Sequence, residues 1–259
     1  MHPAHAVLLG IVEGLTEFLP VSSTGHLILA SKLLGLAQTE FMKTFEIAIQ
    51  LGAILAVLLT YWRAFLTDFA TLKRVSAAFL PTAVIGFLFY RIIRKFLFAG
   101  YSTVLWSLFL GGIVLIVFDG WHHIKGNAVQ KTGDIPPLKA AGIGVAQSLA
   151  MIPGVSRSAA TIVGGLWLGL DRKTAVEFSF LLAVPTLLAA TVFDLLKSAP
   201  VLDGLQWKFL LTGGSVSFLI AMLSIRCFLK FVQNHGFAAF GIYRMVVALL
   251  FWLFIKTAS

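Results

Sequence analysis

The chain has 259 residues, of which 59% are hydrophobic and 12% charged, with a mean hydropathy of +0.94. Soluble domains carry about a quarter charged residues, so the composition excludes an ordinary soluble enzyme and points to a membrane protein. The formal charge of +9 does not indicate nucleic acid, because the lysines and arginines are scattered among the loops; membrane topology and anionic lipid account for it.

In chain order, the start MHPAHAVLLG lacks the basic region of a secretory signal, and no cleavage is expected. Residues 4–35 are apolar but broken at Pro20. Runs at 44–62, 75–90 and 101–118 are each close to the roughly 20 residues that span a bilayer. A polar linker, 121–137, holds His122, His123 and Lys125 and reads as a solvated loop. Residues 138–170 form a second broken apolar stretch, interrupted at Pro153-Gly154, and three more span-length runs follow at 175–193, 207–225 and 241–255. Residues 226–236 read as a short interfacial segment. Trp62, Tyr90, Tyr101, Trp207 and Tyr243 lie near run ends, where aromatic rings favour the interface. A single cysteine, Cys227, excludes an intrachain disulfide and a cysteine-based metal site.

Each broken stretch splits into pieces of about 15 residues, near 22 Å as helix, too short to cross ~30 Å of hydrocarbon. Both are therefore expected to be re-entrant hairpins, with their irregular backbone buried in protein or facing a watery cavity. The two stretches also resemble each other. At an offset of 134, Gly10 matches Gly144, Glu13 matches Gln147, and Gly35-Leu36 matches Gly169-Leu170; at 133, Pro20 matches Pro153 and Ser23 matches Ser156. The expected fold is an all-α polytopic membrane protein forming a single membrane domain over 1–259. It has six transmembrane helices and two re-entrant hairpins, arranged as an inverted repeat of 1–120 and 138–257. Inverted repeats of this kind bring broken helices together near the midplane. The face carrying 63–74, 121–139, 171–174 and 226–244 holds eleven Lys/Arg against eight on the face with the termini, which places the termini outside the cytoplasm.

The first break, EGLTEFLPVSSTGH at 13–26, gathers groups that lipid penalises. Glu13 and Glu17 are four apart and share a helix face. A carboxylate at the centre of a membrane helix costs roughly 2.5–3.5 kcal/mol on insertion scales, so both are expected to face inward, toward a cation, a proton or a polar substrate. Ser22 or Ser23 can cap the helix after Pro20. His26 follows Ser23 by three residues, within reach of its hydroxyl, a pairing suited to activating a nucleophile or moving a proton.

The second break, PGVSRSAAT at 153–161, has a different character. Ser156 is expected as the N-cap of a helix starting near Arg157. A helix N-terminus, the Arg157 guanidinium and the hydroxyls of Ser156, Ser158 and Thr161 together suit phosphate oxygens. Carboxylates from one break and an anion cradle from the other meet a phosphate comfortably only with a divalent cation between them. The expectation is metal-assisted phosphoryl transfer on a phosphorylated lipid.

These two stretches resemble the signature regions of the undecaprenyl-pyrophosphate phosphatase family of the bacitracin-resistance type, with similarity extending to FEIAIQLGAILAV at 45–57 and EFSFLLAVPTLLAA at 177–190. The resemblance implies an integral enzyme of the bacterial inner membrane, with its site open to the outer, periplasmic side. Such an enzyme removes the terminal phosphate from undecaprenyl pyrophosphate and regenerates the monophosphate carrier of cell-wall precursors. It implies Glu13 and Glu17 as the pair associated with Mg²⁺ or Ca²⁺, Glu17, Ser23, His26 and Arg157 as catalytic, and Ser156, Arg157 and Thr161 as phosphate-binding, to which the hydroxyl of Ser158 is added by the reading of the second break above. Ala159 departs from the glycine expected of many members. The partners implied are a polyprenyl diphosphate lipid and the bilayer, with a homodimer kept as an expectation for the assembly. Ser23, His26 and an activated water remain alternatives for the nucleophile. Two rival readings are a transporter built on the same broken helices and a headgroup anchor without chemistry. The other lipid-phosphatase pattern fails, since it needs an Arg-Pro that this chain lacks.

Overall fold

The computed structural model describes residues 1–97, 101–121, 128–198 and 202–257; His122, His123 and Lys125 lie outside them. The described residues form helices α1 (Pro3–Thr16), α2 (Ser23–Leu33), α3 (Glu40–Ala48), α4 (Gln50–Thr60), α5 (Trp62–Leu66), α6 (Phe69–Leu97) and α7 (Tyr101–Trp121). After the linker come α8 (Pro137–Gln147), α9 (Arg157–Trp167), α10 (Arg172–Ser198), α11 (Gly204–Asn234) and α12 (Ala238–Thr257). The only β pairing among them is one isolated bridge between Val129 and Leu170.

Among the described residues, five stretches are long and apolar enough to cross a bilayer: Glu40–Thr60, Phe69–Phe89, Tyr101–Gly120, Arg172–Val192 and Gly204–Asn234. The expected sixth, 241–255, falls in a shorter apolar helix, Ala238–Phe254. Leu211, Leu219 and Leu223 on α11 and Leu80, Phe87 and Leu88 on α6 are exposed. Such a surface would be costly in water and is ordinary against lipid tails. The protein is an all-helical, multi-pass membrane protein.

The two broken stretches are helical hairpins with short breaks. Pro20 sits in the first, between α1 and α2, and Pro153 in the second, between α8 and α9. Among the described residues, the only non-glycine positions with positive φ are Ser22 (73°) and Ser156 (77°), and each opens the second helix of its hairpin. Each serine oxygen accepts the amide three residues on, Gly25 N at 3.3 Å and Ala159 N at 3.2 Å. Each second helix ends on a glycine with positive φ, Gly35 and Gly169. The backbone therefore pairs Ser22, not Ser23, with Ser156, at the same offset of 134 that relates the two glycines. The offset of 133 that matched Ser23 to Ser156 is corrected: the prolines sit at different points of an otherwise equivalent loop.

The first helices dock in parallel fashion as well. α1 packs along α11, and α8 along α6. Both contacts depend on a glycine: a Cβ at Gly10 would strike the carbonyl oxygen of Gly213, and one at Gly144 that of Ala78. Helices approach this closely in membranes through small residues. α4 packs on both α10 and α11, and α7 packs on α12. Phe18, Phe178, Phe180 and Ile162 are fully buried in one hydrophobic cluster.

Two expectations change. Residues 226–234 continue α11 as one 31-residue helix, so the interfacial segment read at 226–236 is mostly the end of a span. Its positions Phe228 and Val232 are buried, which extends the packed face of that helix. Arg244, counted among the basic residues of one membrane face, is fully buried inside α12. The charge asymmetry behind the predicted orientation shrinks accordingly.

Candidate active site

The two breaks enclose a cavity of about 240 Å³, lined by Glu17, Ser22, Ser23 and Thr24 from the first and by Pro153, Gly154, Ser156 and Arg157 from the second. Gln50, Thr82, Gln147 and Thr186 also line it.

Glu17 is the hub. It caps α1, and its carboxylate is 6% exposed. Arg157 Nη2 donates to Glu17 Oε1 at 3.0 Å, joining the breaks through a buried ion pair. The Ser23 hydroxyl donates to Glu17 Oε2. One carboxylate therefore holds both the cation and the hydroxyl, each through a charge-assisted bond, the stronger kind.

Arg157 is held on its far side by α10. Nη1 donates to the Ser179 carbonyl at 2.8 Å and to Ser179 Oγ at 3.2 Å, and Thr161 Oγ1 lies 2.6 Å from that same Ser179 oxygen. Thr161 thus reaches the site through Ser179 and Arg157; its own hydroxyl is taken by protein and does not line the cavity. Ser158 also departs from the expected phosphate-facing position. Its hydroxyl donates to the Leu19 carbonyl at 2.6 Å, tying α9 to the first break. Ser156 does line the cavity, and its oxygen caps α9.

His26 lies elsewhere. Its Nδ1 is 2.8 Å from the Ser22 carbonyl, which can only accept, so Nδ1 carries a hydrogen. In the neutral ring Nε2 then accepts from the Tyr243 hydroxyl at 2.9 Å, and the two rings stack with 4° between their planes. The expected pairing of Ser23 with His26 is not formed: the Ser23 hydroxyl is hydrogen-bonded to Glu17. The reason is helical: Ser23 opens α2 with its side chain toward the cavity, and the turn to His26 carries the imidazole round to α12.

Glu13 is fully buried one turn before Glu17, and neither of its carboxylate oxygens has a hydrogen-bond partner. Ser217 Oγ is likewise buried and unpartnered. A buried carboxylate without a partner is costly and calls for a cation or a proton. Among the described residues no three His, Cys, Asp or Glu side chains converge. Glu13 and Glu17 are hard oxygen donors of the kind Mg²⁺ or Ca²⁺ accepts, with substrate phosphates and water completing the shell. The donor set fits such an ion.

The residue least visible beforehand is Arg244. It has no carboxylate partner among its hydrogen bonds, and its guanidinium donates to five carbonyls: Leu108 at 3.3 Å, Pro20 at 3.3 Å, Val155 at 3.1 Å, Ser107 at 2.9 Å and Gly154 at 2.9 Å. Pro20 belongs to the first break, and Gly154 and Val155 to the second. Arg244 fastens both to α7, and the signal that could have found it is a lone arginine inside an apolar run.

The model of the family described as bacitracin resistance protein BacA matches residues 6–250. The chain belongs to this family. It is 52% identical to an undecaprenyl-diphosphatase of a Sulfurihydrogenibium species, over 98% of this chain and 99% of that one. It is 49% identical to an undecaprenyl-diphosphatase of Aquifex aeolicus, covering 96% and 97% of the two chains. A Thermus thermophilus undecaprenyl-diphosphatase is 50% identical, over 96% of each chain. The matched BacA region contains both breaks, the cavity between them and Arg244.

Proposed function

We propose that this BacA-family enzyme hydrolyses undecaprenyl pyrophosphate to undecaprenyl phosphate and inorganic phosphate. That reaction recycles the lipid carrier of cell-wall synthesis and underlies bacitracin resistance. The observation that carries the reading is Glu17 binding Ser23 from its own break and Arg157 from the other.

In the proposed chemistry Ser23 Oγ attacks the outer phosphorus and Glu17 takes its proton. A bond forms between Oγ and phosphorus, the bond to the bridging oxygen breaks, and the lipid monophosphate leaves with the proton that Glu17 took, which frees the carboxylate for the second half of the reaction. Water then attacks the phosphoserine, releasing inorganic phosphate and returning a proton to Oγ. Arg157, steadied by Ser179, offsets charge on the transferring phosphoryl group, as guanidinium clamps do. Glu13 and Glu17 would hold a divalent cation, Mg²⁺ or Ca²⁺, whose charge offsets that of the diphosphate. The lipid tail enters from the bilayer, and the site faces the outer side of the bacterial inner membrane. The two hairpins and the apolar segments that follow each derive from an inverted duplication, a reading supported by the shared offset of Ser22/Ser156 and Gly35/Gly169.

The test uses protein purified in detergent, assayed for phosphate release from a polyprenyl diphosphate with Mg²⁺, Ca²⁺ or EDTA. Release with either metal and loss in EDTA are expected. Rapid quench and mapping should place the trapped phosphoryl group on Ser23; phosphate on His26 would overturn the serine assignment. Folded protein that releases nothing with either ion would favour a transporter.

A further inference from the structure

The lining of the cavity contains a side chain that the chemistry above does not use. Gln147 ends α8 and is 2% exposed. Its Nε2 donates to Thr82 Oγ1 at 3.0 Å and to Thr186 Oγ1 at 3.1 Å. The two threonines come from different helices, and each directly follows a proline inside its helix, Pro81 in α6 and Pro185 in α10.

The amide's orientation follows from proton counting. A threonine hydroxyl has one hydrogen. That of Thr82 goes to the Gly144 carbonyl at 2.7 Å, and that of Thr186 to the Leu182 carbonyl at 2.8 Å. Carbonyls only accept, so the group of Gln147 that meets both hydroxyls must be the donor. Its other end, Oε1, is therefore fixed as an acceptor. That oxygen is buried and has no hydrogen-bond partner.

A buried acceptor left unpaired is costly, and its natural partner here is constrained. Phosphate oxygens without hydrogen would repel it. Water would suit it, and hydrolysis of a diphosphate consumes a water. We propose that Gln147 positions the hydrolytic water, with Oε1 accepting one of its hydrogens; this rests on the phosphatase reading above. In that step the water oxygen bonds to phosphorus, and the bond from phosphorus to the Ser23 oxygen breaks. One water hydrogen passes by way of Glu17 to Ser23 Oγ. The hydrogen held by Gln147 stays on the oxygen that becomes part of inorganic phosphate. A glutamine that orients an attacking water is an established device in phosphoryl transfer. The positions of Thr82 and Thr186 make Gln147 a rigid instance of it.

The variants are Gln147→Met, which keeps the length but removes the acceptor, Gln147→Glu, which retains an oxygen, and Thr186→Val, which removes one of the two anchors. Each is assayed with a polyprenyl diphosphate for kcat and KM, and for the partition between inorganic phosphate and methyl phosphate in water–methanol mixtures. Gln147→Met should lower kcat by about 10²-fold, the scale of a misplaced reactant, with KM little changed. Its products should shift toward methyl phosphate, because methanol no longer competes with a held water. Gln147→Glu, whose carboxylate has no hydrogen to give the two threonines, should shift it as well, and Thr186→Val should shift it in the same direction as Gln147→Met but less. An unchanged partition in folded Gln147→Met, whatever its kcat, would reduce Gln147 to a structural lock. Should Gln147→Met not fold, an unchanged partition in Thr186→Val would overturn the proposal instead. A wild-type protein without phosphate release overturns the phosphatase reading itself, and this inference with it.

Discussion

The breaks after α1 and after α8 have the same local backbone: a serine with positive φ, its oxygen on the amide three residues later, and a glycine with positive φ at the end of the helix that follows. Their chemistry diverges. The first holds Glu13 and Glu17 and no cation; the second has Gln147 where Glu13 stands and adds Arg157. The difference shows how two breaks of like backbone yield a site that neither contains alone. One supplies two carboxylates and a hydroxyl, the other a guanidinium and a neutral amide, and Glu17 joins them by binding both Ser23 and Arg157.

The largest effect should come from removing the pair that joins the copies. Glu17→Ala or Arg157→Ala should reduce phosphate release by at least about 10³-fold, comparable to losing a preorganised charge group. Each should also destabilise the fold by about 3–5 kcal/mol, because the remaining buried charge loses its partner. Phosphate release and thermal unfolding in detergent check both.

Next is Arg244→Met, which strands carbonyls from both breaks and α7. An unsatisfied buried group costs about 1–3 kcal/mol, so the loss should exceed about 3 kcal/mol, with activity reduced through misalignment of the loops. Arg244→Lys should recover little, since an ammonium cannot serve five carbonyls in a plane.

A smaller effect separates the copies at their caps. Ser22→Ala and Ser156→Ala should each cost about 0.5–2 kcal/mol for the lost cap, since the serine already bears the strain of a Cβ at positive φ. Ser→Gly at either position should cost about 1 kcal/mol less than Ser→Ala, because glycine tolerates that backbone. Similar values at both positions would support equivalence of the loops; a large cost at one alone would break it.

The smallest is Thr161→Val, which leaves Arg157 in place but frees Ser179. It should lower kcat by about tenfold through looser orientation of Arg157, with little change in melting temperature.

Much of this site was legible in the sequence because lipid makes polar residues conspicuous. Glu13, Glu17, Ser23 and Arg157 stood out against apolar surroundings, and Pro20 and Pro153-Gly154 announced the breaks. What stayed hidden depended on distances along the chain that no periodicity reports. His26 was placed near Ser23 by helical spacing, yet Tyr243, from the far end of the chain, claims its imidazole. Ser158 and Thr161 read as phosphate donors because hydroxyls suit phosphate, yet nearby carbonyls and Ser179 use them first. Arg244 read as a loop charge because an arginine without an acid nearby seldom suggests burial. Its five carbonyl partners exist only once both breaks are formed. The length of α11 was misjudged for a related reason: burial of Phe228 and Val232 shows only when the neighbouring helices are in place.

The central claim is that the two breaks form one reacting unit. Its most direct test is a double-mutant cycle on phosphate release with Glu17→Asp, Arg157→Lys and the combined variant, conservative changes that leave a measurable rate. Residues acting as a unit are strongly non-additive. The account predicts that the double variant loses little more than the worse single variant. Losses that multiply would mean that Glu17 and Arg157 act independently, and would contradict a site built across the two breaks.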